Sequence, residues 1–160
     1  MDRIDRIVNH PIFQENLRKN NEAEKDRIFC RHDITHFLDV ARIGFIISLE
    51  EGLNIERELI YGAALLHDIG KHRQYAEGIP HELASVDIAQ GILRDCGFDT
   101  EETSVIISAV LGHRNDAVSG ENSLRGVLYR ADKASRPCYI CSVEQECNWK
   151  DGKKNNNISY

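Results

Sequence analysis

The sequence predicts an all-helical fold in one compact domain, and three observations carry that prediction. Only three prolines (Pro11, Pro80 and Pro137) interrupt the 160 residues. Between them, apolar residues recur at three- and four-residue spacing and not in alternation, the pattern of helices that each bury one stripe. The stripes are punctuated by glycines and by side chains suited to helix capping. A chain of this length with 41% hydrophobic residues can bury one sizeable core and is too short for two domains to be the default.

The elements follow in order. A highly charged stretch to about Asp26, divided by Pro11, carries a thin stripe of Ile4, Ile7, Val8, Ile12, Phe13 and Leu17 and reads as one or two peripheral helices. Ile34 to Glu51 forms the next helix, with Phe37, Val40, Ala41, Gly44, Phe45 and Ser48 on one face and Gly52 as its stop. Asn54 is suited to cap a helix from Glu56 to about Ile69, which Gly70 ends. A stretch read as an irregular loop from Arg73 to Pro80 leads to a helix from His81 to about Asp95, stopped by Gly97. Asp99 and Glu102 have the spacing of a capping box and open a helix that reaches roughly His113. After a loop from Asn115 to Asn122, the fifth core helix runs from about Ser123 to Lys133. The expected organisation is a helical domain over residues 1–136, its motif-bearing core at 33–133, and a cysteine-containing extension over 137–160. The polar run Lys153-Lys154-Asn155-Asn156-Asn157 leads us to expect mobile last residues.

Composition narrows the function classes. Twenty basic against 26 acidic side chains give a net charge of −6, which disfavours a protein that mainly binds nucleic acid backbones. No apolar run approaches the roughly 18 residues needed to cross a bilayer, so no membrane role is expected. Five cysteines cannot all pair with one another, and reduced thiols or metal ligands suit a reducing compartment. A cytoplasmic protein is the expectation.

Polar groups on the buried stripes carry the chemistry. His36 shares a helical line with Val40, Ile43 and Ile47, and His67 shares one with Ile60, Ala63 and Ala64. His81 continues Ala84, Ser85, Ile88 and Ile92; His113 continues Ile106, Ala109 and Val110; Asp132 lies one turn beyond Leu128. Any one of these, taken alone, reads as a core residue satisfied by a hydrogen bond. Together they would need several independent solutions, whereas one or two divalent cations satisfy them at once. Imidazole and carboxylate ligands suit iron, manganese, cobalt, nickel or zinc. Adjacent helical residues point about 100° apart, so His67 and Asp68 reach one ion only near a helix end, where Gly70 allows the backbone to turn. Asp68 has two oxygens and can bridge two ions.

The residues His36, His67-Asp68 within His67-Asp68-Ile69-Gly70-Lys71, and Asp132 within Arg130-Ala131-Asp132-Lys133 resemble the H…HD…D pattern of the HD-domain phosphohydrolase superfamily, in its HDIG-containing branch. That resemblance implies an all-helical core and metal-dependent hydrolysis of phosphate esters. Binuclear members place further histidines between the HD pair and the last aspartate, where His81 and His113 stand. His81 could also face solvent, and His113 could interact with a helix C-terminus as a charged imidazole. No Gly-Tyr-Pro triplet follows, and His113-Arg114 is similar to hydrolases of smaller nucleotides.

The expected reaction is attack of a metal-bound water on the phosphate ester or anhydride of a small nucleotide or related metabolite, with Asp68, Lys71 and Arg114 as catalytic residues. Lys71 and Arg114 would hold the phosphate and offset developing charge, against the alternative of ordinary solvated cations. His72 and His32 rank below these; His32, one turn before His36, could hydrogen-bond a ligand or touch substrate, but as a helix-entry histidine it is expected to face water. In the tail, Cys138, Cys141 and Cys147, with Cys30 as a fourth, could form a separate structural zinc site, or the thiols could be unliganded or oxidise pairwise. The competing functional class is a metal- or nucleotide-binding sensor without turnover; a helical structural protein and a di-iron oxygenase are further classes.

Overall fold

Three- and four-residue apolar spacing resolves into helices throughout. In the computed structural model, which describes residues 1–150 and 152–160, eight α-helices and no strand occur among the described residues. They are α1 (Asp2–Asn9), α2 (Pro11–Ala23), α3 (Ile34–Glu50), α4 (Arg57–Leu66), α5 (Lys71–Glu77), α6 (His81–Asp95), α7 (Thr100–Gly112) and α8 (Leu124–Ala134). Pro11 opens α2, where its missing N–H costs nothing, and His10 caps that helix by accepting from the Ile12 amide. Asp33 caps α3, Asp99 and Glu102 form the capping box of α7, and Ser123 caps α8.

The core lies where α3, α4, α6, α7 and α8 meet. Helix α4 is its centre, with Ile60, Ala63, Ala64, Leu65 and Leu66 all buried. A methyl group on Gly44 of α3 would stand 3.0 Å from Ile60 and 3.5 Å from Val127 and Ala131, so that glycine lets α3 approach α4 and α8 closely. Helix α1 is fastened outside by Arg3, which reaches Glu58 of α4 at 2.6 Å and Glu102 of α7 at 2.7 Å.

Three local expectations are corrected. Asn54 does not cap α4; it takes a positive φ of 53° in the preceding loop, and the N-cap is Glu56, without a side-chain hydrogen bond. Residues 71–77 form helix α5, not an irregular loop, ended by Gly78 in the left-handed conformation. None of its residues is fully buried, so it has no apolar stripe to announce it. Gly70 has an ordinary φ of −91°, so its role is not to supply a turn that only glycine adopts. It is glycine because the backbone of α6 lies against it: an added Cβ would sit 2.6 Å from the Ala84 carbonyl carbon and the Ser85 nitrogen.

The segment between α4 and α5 is further pinned by polar bonds. The Gly70 amide donates to Ser85 Oγ at 3.0 Å. Asn20, fully buried on α2, donates to the Asp68 carbonyl at 2.9 Å and accepts from the His72 amide at 2.8 Å. Gly70→Ala should therefore cost about 3 kcal/mol by overpacking, whereas Gly91→Ala, whose methyl meets nothing, should stabilise by about 0.5–1 kcal/mol. Asn20→Ala leaves the His72 amide without its partner and takes from the Asp68 carbonyl one of its two donors, the Lys71 amide remaining, and should cost roughly 2 kcal/mol. Urea unfolding of the three variants beside the wild type measures each difference.

Candidate metal centre and its cavity

The helices deliver their polar groups from their ends. His36 stands in the first turn of α3, His67 and Asp68 directly follow α4, His81 opens α6, His113 directly follows α7, and Asp132 lies in the last turn of α8. All six are buried. Their ligand atoms form two groups, each within 4.8 Å: His36, His67, Asp68 and Asp132 in one, and Asp68, His81 and His113 in the other.

Asp68 belongs to both groups through different oxygens. Its Oδ2 lies 3.1 Å from His67 Nε2 and 3.8 Å from His36 Nε2. Its Oδ1 lies 3.0 Å from His81 Nε2 and 3.5 Å from His113 Nε2. Asp132 Oδ1 completes the first group, 3.5 Å from His36 Nε2 and 3.8 Å from His67 Nε2.

The outer nitrogens of the rings fix which atom faces inward. His67 Nδ1–H donates to the Ala64 carbonyl at 2.6 Å and His113 Nδ1–H to the Val110 carbonyl at 2.5 Å, each the carbonyl three residues back. His81 Nδ1–H donates to Gln74 Oε1 at 2.5 Å. His36 Nδ1–H donates to Ser135 Oγ at 3.3 Å, whose own hydroxyl donates to the Asp132 carbonyl. Each ring then presents the lone pair of Nε2 to the cluster, as metal-binding imidazoles do. His36 Nε2, His67 Nε2 and Asp68 Oδ1 are buried with no hydrogen-bond partner. Acceptors facing acceptors at 3.0–3.8 Å are costly unless a cation lies among them, so the donor set fits one or two divalent ions.

The electrostatics agree. Burial alone would push both carboxyls up, but His67 and His32 around Asp68, and Arg136 and His67 around Asp132, hold them well below the ordinary carboxylate range. Burial pushes His36 down to about 4. Burial also opposes a charge on His67, but the two carboxylates outweigh it and raise that imidazole to about 9. Two ionised carboxylates in an enclosed site demand positive charge, and a divalent ion displaces a proton from such a position.

A cavity of about 430 Å³ opens over Asp68, His81, His113 and Asp132. Cations surround it. Lys71 Nζ lies 3.2 Å from His81 Nδ1, and burial lowers its pKa. Arg114 lines the same space, half-exposed, with Glu82 at 3.0 Å. Lys133 and Arg136 reach opposite oxygens of Asp132 at 2.6 and 3.0 Å.

Some features were misread or missed from sequence. His32 does not face water: it is buried, lines the cavity, and lies 3.6 Å from Asp68 Oδ2 through Nε2. Its Nδ1–H donates to Glu24 at 2.6 Å, and Glu24 also accepts from the Tyr75 hydroxyl and the His32 amide. Burial opposes the charge on Glu24, yet these bonds, led by that from His32, bring its pKa down to about 2. The one-turn spacing of His32 and His36 was the available signal for His32; Glu24 and Arg136 had none. His72 points to α2, with Nε2 2.8 Å from Asn16 Oδ1. The four cysteines weighed as a zinc site, against unliganded or oxidised thiols, do not assemble: Cys30, Cys138 and Cys147 line the cavity, Cys141 does not, and among the described residues no group of ligand atoms within 4.8 Å contains a thiol. All five cysteines are free.

Comparison with known proteins gives the same outline. A protein of Clostridium beijerinckii described as uncharacterized is 47% identical over 160 residues, all of both chains. Ribonuclease Y of Mesoplasma florum is 29% identical over 136 residues, 84% of this chain but 25% of that protein's length. The crystal structure of a predicted HD superfamily hydrolase from an uncultured Thermotogales bacterium superposes with a TM-score of 0.62 at 27% identity, covering 89% of this chain and 81% of the other. The HD domain family itself matches residues 33–136, the stretch that contains His36, His67-Asp68 and Asp132. With the helical fold, the converging histidines and aspartates and this match in hand, the chain belongs to the HD domain family.

Proposed function

We propose that this protein is a metal-dependent phosphohydrolase that cleaves a phosphate ester or anhydride of a small nucleotide or related metabolite. The observation that carries the reading is Asp68, each of whose oxygens faces a separate group of ligand atoms. His36, His67, Asp68 and Asp132 would hold one ion, and Asp68, His81 and His113 a second. Iron, manganese, cobalt, nickel or zinc suits the donors. Once bound, such ions supply Lewis acidity and an acidified water.

The protein's own residues supply the rest. Lys71, Lys133 and Arg136 stand beside the ligand cluster, where a phosphate group resting on it would meet them. Arg114 lies farther out and can clamp a second phosphate or the outer oxygens of the first. Glu24 holds the His32 ring with Nε2 toward Asp68 and the cavity, so this imidazole is oriented to accept a hydrogen bond from the attacking water. The half-enclosed cavity, of a volume usual for small-molecule sites of about 300–1,000 Å³, limits water around these charges.

Protein reloaded with manganese, iron, cobalt or nickel should hydrolyse at least one of a panel of nucleotides, diadenosine polyphosphates and a generic aryl phosphate. Bound metal without turnover on any of them would favour a sensor. Elemental analysis should give close to two ions per chain, about one in His81→Ala and His113→Ala, and little in Asp68→Ala. A stoichiometry unchanged by Asp68→Ala would sink the shared-ligand reading. Lys71→Ala should lower kcat by roughly 100-fold, and Arg114→Ala, more exposed and held by Glu82, by about tenfold or less.

A further inference from the structure

The C-terminal extension lies outside the part of the chain that matches the family, yet it helps to wall the cavity. It is fastened in place. Asn155 donates to the Ala134 carbonyl at 2.7 Å and accepts from the Tyr139 amide at 3.0 Å, and Lys153 pairs with Asp116 at 2.8 Å. So anchored, the segment brings Trp149 to the cavity, where its ring is half-exposed.

Charge and burial vary systematically across this space. Asp68, His113 and Asp132 form a buried floor, while Trp149 and Phe29 line the cavity with half-exposed rings. Lys133 and Arg136 link the two levels. Both touch Asp132 on the floor, and both also lie against the Trp149 ring, at 5.9 and 5.6 Å from its centroid. Phosphates following these cations outward from the floor would bring the rest of the substrate to the indole. Tyr139, Ile140, Ile158 and Tyr160 of the same tail are exposed but do not line the cavity; Trp149 does, and a large flat ring left half-exposed there is a good stacking surface.

We propose that Trp149, with Phe29, forms a planar-ring subsite that takes the nucleobase of a nucleotide whose phosphates lie on the ligand-lined floor. The inference rests on the phosphohydrolase reading and adds to it the residue that separates nucleotides from simpler phosphates. Stacking on Trp149 tolerates any base because every base has a flat face, so the subsite distinguishes the presence of a base more than its kind.

The test is calorimetric titration of the metal-loaded full chain with two non-hydrolysable probes, α,β-methylene-ADP and methylenediphosphonate, which share the bridged phosphonate but not the nucleoside. The nucleotide analogue should bind about tenfold or more tightly, from the stacking contribution of one base. Trp149→Ala should abolish that advantage, and Trp149→Phe should keep most of it. As the chain's sole tryptophan, Trp149 also reports directly: the nucleotide analogue should change its emission in the wild type, and methylenediphosphonate should not. Equal affinities for the two probes, an advantage that survives in Trp149→Ala, or unresponsive emission would overturn the subsite while leaving the phosphate site standing. Binding of neither probe would overturn both readings. Should Trp149→Ala fold poorly, the wild-type affinity ratio and emission decide the matter alone.

Discussion

Two carboxylates and a set of imidazoles are buried at one point of a helical domain, and most of what is specific to this structure follows from that. Ionised groups leave water at a cost of several kcal/mol each unless something of opposite charge meets them. Here the inward atoms are nearly all acceptors, and of the two buried carboxylates Arg136 and Lys133 pair with Asp132 and not with Asp68. The remaining demand for positive charge, centred on Asp68, is what makes the cluster a cation site and not an ordinary polar core.

Meeting that demand needs precise placement, and the helices provide it by ending together. The C-terminal ends of α4, α7 and α8 bring partial negative charge to the cluster and the N-terminal ends of α3 and α6 partial positive charge, so the helix ends serve to place the ligands, and the ionised carboxylates set the field. The ends are held by packing as much as by hydrogen bonds. Gly70 allows α6 to lie against the segment that carries Asp68, Ser85 takes up its amide, and Asn20 takes up the Asp68 carbonyl. A carboxylate that faces two groups at once tolerates little rotation, so a backbone fixed from two sides suits its position.

How much of this was readable beforehand depended on the kind of signal each residue leaves. His36, His67, His81, His113 and Asp132 were legible because each interrupts or ends an apolar stripe, and a buried polar group stands out against such a background. The core helices were legible for the same reason, with ends set by capping residues such as Asp33, Asp99 and Ser123. Helix α5 left no stripe, because it lies on the surface and is positioned by its neighbours. His32 precedes the helix whose periodicity would have shown its direction, and its partner Glu24 is joined to it through tertiary structure. The cysteines showed the opposite failure. Their spacing resembled part of a zinc motif, but spacing says nothing about where sulfurs point once the chain turns.

The hydrogen bonds of α2 to the site carry a consequence for where this domain begins. Resemblance to the family starts at residue 33, yet the amide that steadies Asp68 and the carboxylate that orients His32 both lie upstream, at Asn20 and Glu24. Borders drawn by kinship and borders drawn by chemistry therefore disagree by at least a dozen residues. An autonomous working unit has to reach back into α2, and what looks like a charged leader is a bracket on which the reactive centre is mounted.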